Sequence, residues 1–246
     1  MRIPRIYTEQ ILSNMSVLEL ELAPSTHIAR SLRMQTGDSL TLFNGSGGEF
    51  DATLNTVGKK TVTVSINSHR DTEVESPLEI HLGIAISRGD RMDWVIQKAT
   101  ELGVRSISPL LTERTEVKLK GDRADKKRRH WQQIAIAACE QCGRNRLPEI
   151  KAMQGLSQWL EATEADRKFV LHHQGIAQGA TPVLPSCIAL LIGPEGGLSP
   201  TEISLAEQAA YQALKLGPRV MRTETAPLAA IAILQAQWGD MGAEHS

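Results

Sequence analysis

The hydrophobic pattern changes period part-way along the chain. In the first part the period is two. Thr61-Val62-Thr63-Val64-Ser65-Ile66 alternates strictly, and Glu49 to Asn55 alternates in part. Ser39-Leu40-Thr41-Leu42-Phe43 runs into Asn44-Gly45-Ser46-Gly47-Gly48, and Gly58-Lys59-Lys60 supplies a second turn. Period-2 runs separated by glycine-rich turns predict a small antiparallel sheet or barrel. Ser25 to Arg33 reads as a short helix with an N-cap serine. The polar stretch His69 to Pro77 predicts a linker, dividing the chain into domains of 1–72 and 73–246. From Leu78 the texture changes. Apolar runs at 79–86, 106–111, 168–172, 187–192 and 213–217 alternate with segments of helical period at 90–102, 124–141, 155–164, 200–210 and 226–238. That alternation predicts an α/β domain, a mainly parallel sheet covered on both faces. Ser199-Pro200-Thr201-Glu202 forms a capping box with proline at the first helical position. Thr225-Ala226-Pro227 opens a last helix that is apolar on nearly every face, and such a helix is buried, here between subunits.

Composition narrows the class. The 246 residues are 41% hydrophobic and 22% charged with a net charge of −1, which excludes a polybasic tail or a highly charged disordered chain. No run approaches the roughly 18 apolar residues of a membrane span. The first residues have no apolar h-region, so no signal peptide is expected. Three cysteines, an odd and low number, predict a reducing cytoplasm. The neutral balance hides local charge. Arg114 to Arg129 holds eight basic residues against three acidic ones, a net +5 that includes Lys118 and Lys120. Such a run is usually a solvated loop, but Arg2, Arg5, Arg30 and Arg33 add a second cluster, and two clusters on two domains raise the odds of a phosphate-backbone partner.

Four features could carry chemistry. In Ile188 to Leu198, IALLIGPEGGL, a buried strand runs into Gly193-Pro194-Glu195-Gly196-Gly197 and then into the capped helix. Glycines there permit close approach of backbone to a ligand, although a plain tight turn has the same composition. The spacing is neither that of a P-loop nor that of a Rossmann fingerprint. In Leu214 to Ala226, LKLGPRVMRTETA, a Gly-Pro turn precedes the polar cluster Arg222-Thr223-Glu224-Thr225 at the mouth of the last helix. Glu140-Gln141-Cys142-Gly143-Arg144-Asn145-Arg146 closes a long helix. Cys139 and Cys142 lack the second ligand pair that zinc requires and read as ordinary thiols, so no metal is expected. His172 and His173 end a strand, and no nucleophile–histidine–acid elbow is present.

Taken together, these residues resemble the SPOUT methyltransferases of the RsmE type, bacterial 16S ribosomal RNA uridine-N3 methyltransferases. The resemblance rests on the 193–199 and 216–226 segments and on four further matches in order. These are Arg88-Gly89-Asp90-Arg91-Met92 with Gln97 to Gly103, Thr112-Glu113-Arg114, Glu140 to Arg144, and the N-terminal pair His27 to Arg33 and Phe43 to Glu49. Met221 stands where leucine is the family's usual residue, and Ser87 where proline or a basic residue is commoner. The resemblance implies an N-terminal PUA-like small β-barrel and a C-terminal α/β SPOUT domain with a deep trefoil knot, assembled as a homodimer in the cytoplasm. It implies 16S ribosomal RNA or the small ribosomal subunit as partner. S-adenosyl-L-methionine would be held by Leu171, His172, Ile192, Gly193, Pro194, Gly196 and Gly197. Leu216, Gly217, Met221, Arg222, Thr223, Thr225 and Ala226 would complete its site. RNA would meet Arg2, Arg5, His27, Arg30, Arg33, Arg88, Lys98, Arg114, Lys126, Lys127 and Arg128.

Uridine N3 is a weakly acidic imide nitrogen and must lose its proton to attack a sulfonium methyl. A cation near the carbonyl oxygens stabilises the resulting charge, a role for Arg144 or Arg222. Glu140, Glu195 or Glu224 can take the proton, and the sequence does not choose among them. Another SPOUT target (ribose 2′-O or guanine) or a non-catalytic ribosome-assembly role are the competing readings.

Overall fold

The computed structural model describes residues 3–14, 16–117, 119, 121–172 and 184–242. Arg2, Lys118, Lys120 and His173, among the residues singled out above, lie outside them. The chain divides into two compact units, Met1–Glu75 with Cys139–Leu147, and Ser76–Ala138 with Pro148–Ser246. A contiguous division at residue 72 misses the return of 139–147 to the first unit.

In the first unit, β1 (Arg5–Tyr7), β2 (Val17–Glu19), β3 (Ser39–Phe43), β4 (Glu49–Val57) and β5 (Val62–Arg70) form one sheet of order β1-β3-β4-β5-β2. Only the β1–β3 pairing is parallel. The strict alternation of β5 puts Val62, Val64 and Ile66 into the core against Leu40, Leu42, Ala52 and Leu54. Its last two residues, His69 and Arg70, extend the strand into the stretch expected to be linker. The expected helix at 25–33 differs in kind. Helix α1 (Leu22–Thr26) starts after Glu21 and continues as a π-helical turn, His27–Leu32, closed by Arg33 at φ 53°. Ser25 does not cap it; its hydroxyl donates to the Leu20 carbonyl at 3.0 Å.

Polar bonds hold 139–147 within this unit. Asn145 Oδ1 accepts from Arg5 at 2.6 Å, and Asn145 Nδ2 donates to the Thr72 carbonyl at 2.6 Å. Such bonds leave no trace in hydrophobic periodicity.

In the second unit the strands β6 (Glu79–Ala85), β7 (Ser106–Leu111), β8 (Glu149–Ile150), β9 (Gln154–Gly155), β10 (Arg167–Leu171), β11 (Cys187–Ile192) and β12 (Gln212–Leu214) make a seven-stranded sheet. Every pairing in it is parallel, in the order β12-β10-β11-β6-β7-β8 with β9 beside β7. The helices are α2 (Arg91–Glu101), α3 (Asp122–Cys142), α4 (Leu156–Ala162), α5 (Pro200–Gln208) and α6 (Ala226–Trp238). Successive side chains of β11 divide between two cores. Ile188, Leu190 and Ile192 pack with α2, α3 and α6, whereas Ala189 and Leu191 pack with Leu156, Trp159 and Ala206 of α4 and α5. A strand buried on both faces therefore reads as a continuous apolar run. The short strands β1, β2, β8 and β9 span too few residues for a period to show.

Gly83 in β6 lies under the Trp159 ring, and a Cβ added there would sit 2.5 Å from Trp159 Cζ2. Gly83→Ala is expected to destabilise the second unit by about 1–3 kcal/mol. Thermal unfolding against wild type checks this, and an unchanged midpoint would contradict the packing.

Candidate active site

The second unit carries a cavity of ≈ 440 Å³ beyond the C-terminal ends of β10 and β11. Open parallel sheets bind ligands at that edge. Leu171 and His172 come from the end of β10 and Ile192 from the end of β11. Gly193 to Leu198, Val220, Met221, Thr223 and Ala226 line it as well, with Arg114. Ten of the fourteen residues that the sequence suggested for the cofactor thus line one space. Leu216, Gly217, Arg222 and Thr225 are not among the described lining residues. The strand expected at 213–217 stops at Leu214, which leaves Leu216 and Gly217 in the loop.

The glycine loop is shaped by its own turn and braced by several groups. Gly197 N donates to the Pro194 carbonyl at 2.8 Å, with Gly197 at φ 68°. A Cβ on Gly193 would meet Leu198 N at 3.0 Å, so the loop closes tightly on Leu198. Ser199 and Glu202 form the reciprocal capping box at the start of α5. The buried Glu202 carboxylate also accepts from Glu113 N at 2.8 Å. Next to it, Arg114 Nη1 donates to the Gly196 carbonyl at 2.7 Å. The Thr112-Glu113-Arg114 segment thus braces the loop, and Arg114, expected on RNA, spends its guanidinium here.

Arg91, the first residue of α2, joins the two loops. Its Nη1 donates to Glu195 Oε1 at 2.9 Å, and its Nε lies 3.8 Å from Glu224 Oε2. Arg88 N donates to the same Glu195 oxygen at 3.3 Å. Burial raises the Glu195 carboxyl. Hydrogen bonds from its own N–H, from Arg88 N–H and from Arg91, with the charge of Arg91, outweigh it and hold the group below the usual carboxylate range. Such a carboxylate is a weak proton acceptor at neutral pH, so of the expected bases Glu195 is poorly suited. Thr225 opens α6 as expected, yet its side chain makes no capping hydrogen bond.

Two further expected catalytic residues make their contacts within the first unit. Arg144 is buried in the first unit and forms a bidentate pair with Glu75. Glu140 accepts from Tyr7 N at 3.0 Å, and burial raises its carboxyl against that bond. Neither is among the described residues lining the cavity. Arg222 is 85% exposed and lies 3.9 Å from Glu224.

Of the RNA candidates, several are already engaged. Arg5 pairs with Glu49, Arg88 with Glu116, and Lys98 with Glu101 at 2.7 Å. Lys127 donates to Asp93 at 2.9 Å, and Asp93 also holds His130 and Trp131. Burial raises the Asp93 carboxyl, but these hydrogen bonds, led by that of His130, keep it below the usual range. Arg30, Arg33, Lys126 and Arg128 are exposed, and His27 is half-buried. Hydrogen bonding with Cys142, then burial, pushes the Cys139 thiol up, as befits an unreactive thiol.

Residues 74–235 match the family described as RNA methyltransferase domain, and residues 25–67 match the RNA methyltransferase PUA domain. The chain belongs to the RNA methyltransferase family. This methyltransferase is 39% identical over 242 residues to the ribosomal RNA small subunit methyltransferase E of Buchnera aphidicola subsp. Schizaphis graminum, covering 98% of each chain. A Legionella pneumophila protein solved in complex with the bound cofactor SAM overlays it with a TM-score of 0.94 at 45% identity, over 98% of this chain and 100% of that one. A ribosomal RNA small subunit methyltransferase E of Neisseria gonorrhoeae, solved bound to S-adenosyl methionine, overlays it at 0.91 and 38% identity, over 97% and 99%. Reading the methyltransferase sequence alone missed Leu198 and Val220 in the lining, and Arg91. The signal for Arg91 was its place after β6, in an Arg-Gly-Asp-Arg turn at the ligand edge of the sheet.

Proposed function

We propose that this methyltransferase uses S-adenosyl-L-methionine to methylate N3 of a uridine in 16S ribosomal RNA of the small ribosomal subunit. The observation that carries the reading is the cavity at the carboxyl edge of β10 and β11, in a chain that overlays two cofactor-bound structures. The residues suit the group. Leu171, Ile192, Leu198, Met221 and Ala226 offer apolar walls, and the glycines at 193, 196 and 197 let backbone polar groups approach a ligand closely. The donor supplies an electrophilic methyl: the N3–carbon bond forms, the carbon–sulfur bond breaks with its pair on sulfur, and the N3 proton is lost. The chain holds the donor, orients the acceptor and excludes water between them, and positioning alone can supply up to about 7–11 kcal/mol. Uridine N3 is engaged in pairing within a duplex, so the target is unpaired or flipped.

The same reading includes the trefoil knot, with the 193–197 and 216–226 loops as its crossings, and a closed PUA-like barrel in the first unit. It includes a homodimer, for which the 46% exposed Ile233 of the otherwise apolar α6 is a suitable contact. It also places the protein in the cytoplasm. Among the described residues no helix is long and apolar enough to cross a membrane. Among the described RNA candidates, exposed Arg30, Arg33, Lys126 and Arg128 are available to RNA phosphates.

Mass spectrometry of nucleosides from small-subunit RNA of a deletion strain tests the reading. N3-methyluridine is expected to disappear and to return on complementation. Loss of a 2′-O-methylated nucleoside or a methylguanosine instead would move the target. No loss, with no binding of S-adenosylmethionine by the purified protein, would point to a non-catalytic RNA-binding role.

A further inference from the structure

Beside the cofactor cavity lies a second one, ≈ 510 Å³, lined by Arg88, Gly89, Asp90, Arg91, Glu116 and Glu195. Glu195 belongs to both linings. We propose that this second cavity receives the target base and that Arg91 is the catalytic cation that binds one carbonyl oxygen beside N3. The proposal rests on the reading of uridine N3 methylation given above.

Three observations support it. Direct transfer requires acceptor and donor in neighbouring spaces, and Glu195 is the residue these two spaces share. The second cavity is reachable from solvent, since the Arg88 and Arg91 side chains that line it are 66% and 47% exposed. An unpaired base enters from that side. Finally, Arg91 is fixed before substrate arrives. It stands at the start of a helix whose Met92, Val95 and Ile96 are fully buried, and Glu195 and Glu224 hold its Nη1 and Nε. Its Nη2 has no carboxylate partner among the described residues. A guanidinium offers five donors in a rigid plane, and those not held by the two carboxylates suit O2 or O4, reached from the side away from N3 so that its in-plane lone pair stays open to the methyl.

Arg91 is paired too, but with carboxylates of the two loops beside the cofactor cavity. Arg88 pairs with Glu116 and is 66% exposed, Arg114 donates to the Gly196 and Leu198 carbonyls, and Arg222 is 85% exposed. The described residues lining the second cavity are polar or charged apart from Gly89, which suits recognition of the base by hydrogen bonds. When N3 loses its proton to water at the cavity mouth, negative charge spreads over O2 and O4. A preorganised donor at one of those oxygens stabilises that charge, and removing such a donor costs roughly 10²–10³-fold in rate.

The test compares wild type, Arg91→Ala and Arg91→Lys on small ribosomal subunits lacking the modification. It measures single-turnover methylation across pH, cofactor binding by calorimetry and subunit binding by filter retention. Arg91→Ala is expected to lose roughly 10²–10³-fold in rate at neutral pH, well beyond the loss of cofactor affinity that follows from releasing the two loops. The deficit narrows as pH rises, because hydroxide then removes the proton unaided, and Arg91→Lys recovers part of the rate by charge alone. Equal losses of rate and cofactor affinity, a deficit independent of pH, or an unchanged rate would each overturn the assignment. A wild type that leaves uridine N3 unmethylated overturns the reading of function and this assignment with it. A wild type that methylates N3 while Arg91→Ala keeps its rate overturns this assignment alone.

Discussion

Valine at position 197 is expected to abolish binding of S-adenosylmethionine while leaving the protein folded. Gly197 sits at φ 68°, and its N–H closes the turn onto the Pro194 carbonyl at 2.8 Å. A Cβ there meets nothing within 4 Å, and the residue lines the cavity. An added side chain therefore occupies ligand space rather than striking the protein. Two costs combine. The left-handed backbone costs a residue with a Cβ about 1–2 kcal/mol, more for a β-branched one. The two methyl groups of valine also stand where the cofactor must approach the backbone. Calorimetry is expected to show a loss of at least about a hundredfold, or about 2.7 kcal/mol. Gly197→Ala, with the same backbone strain and a smaller side chain, is expected to fall between valine and wild type. Wild-type affinity in the valine variant would remove this loop from the cofactor site.

The contrast between Gly197 and Arg91 shows what a sequence reveals about a site. The loop was legible because everything that defines it is local. A buried strand, a run of glycines and a Ser199–Glu202 capping box fall within fifteen consecutive residues, 188–202, and each has a backbone consequence that needs no distant partner. Arg91 was visible only as part of a motif, since its partner Glu195 is 104 residues away. The fold behaves likewise. Long periodic strands such as β5 and β11 declare themselves, whereas β8 and β9 exist only because β7 offers them a parallel edge. The return of 139–147 to the first unit depends on Arg5, Thr72 and Glu75, and hydrophobic period carries no information about such bonds. The net charge of −1 misled in a related way. It averages exposed cations against acids, some of which, Glu49, Glu195 and Glu75 among them, fix arginines in place.

Arg144→Ala is the substitution for which the folded chain changes the expected outcome most. Its position at the end of a helix, beside a glycine, made it a candidate to stabilise charge on the base, with slowed transfer and intact cofactor binding as the result. In the folded chain its side chain is 4% exposed, donating from Nε to Glu75 Oε1 at 2.9 Å and from Nη2 to Oε2 at 2.6 Å. Its carbonyl accepts from Arg5 at 3.2 Å, so it stands in the same polar cluster that joins 139–147 to β1. Alanine leaves the Glu75 carboxylate without its partner, and breaking a buried pair from one side costs about 3–5 kcal/mol. The expected result is a lower denaturant midpoint with little change in slope. Hydrogen exchange should localise the loss to the strands of the first unit. Removing both charges together, with Glu75→Leu and Arg144→Met, is expected to recover most of the stability, because a buried pair is worth little against well-packed apolar groups. If Arg144→Ala instead unfolds at the wild-type midpoint while methyl transfer collapses, the guanidinium acts on substrate and not on the fold. The ion pair with Glu75 makes stability the quantity that should move.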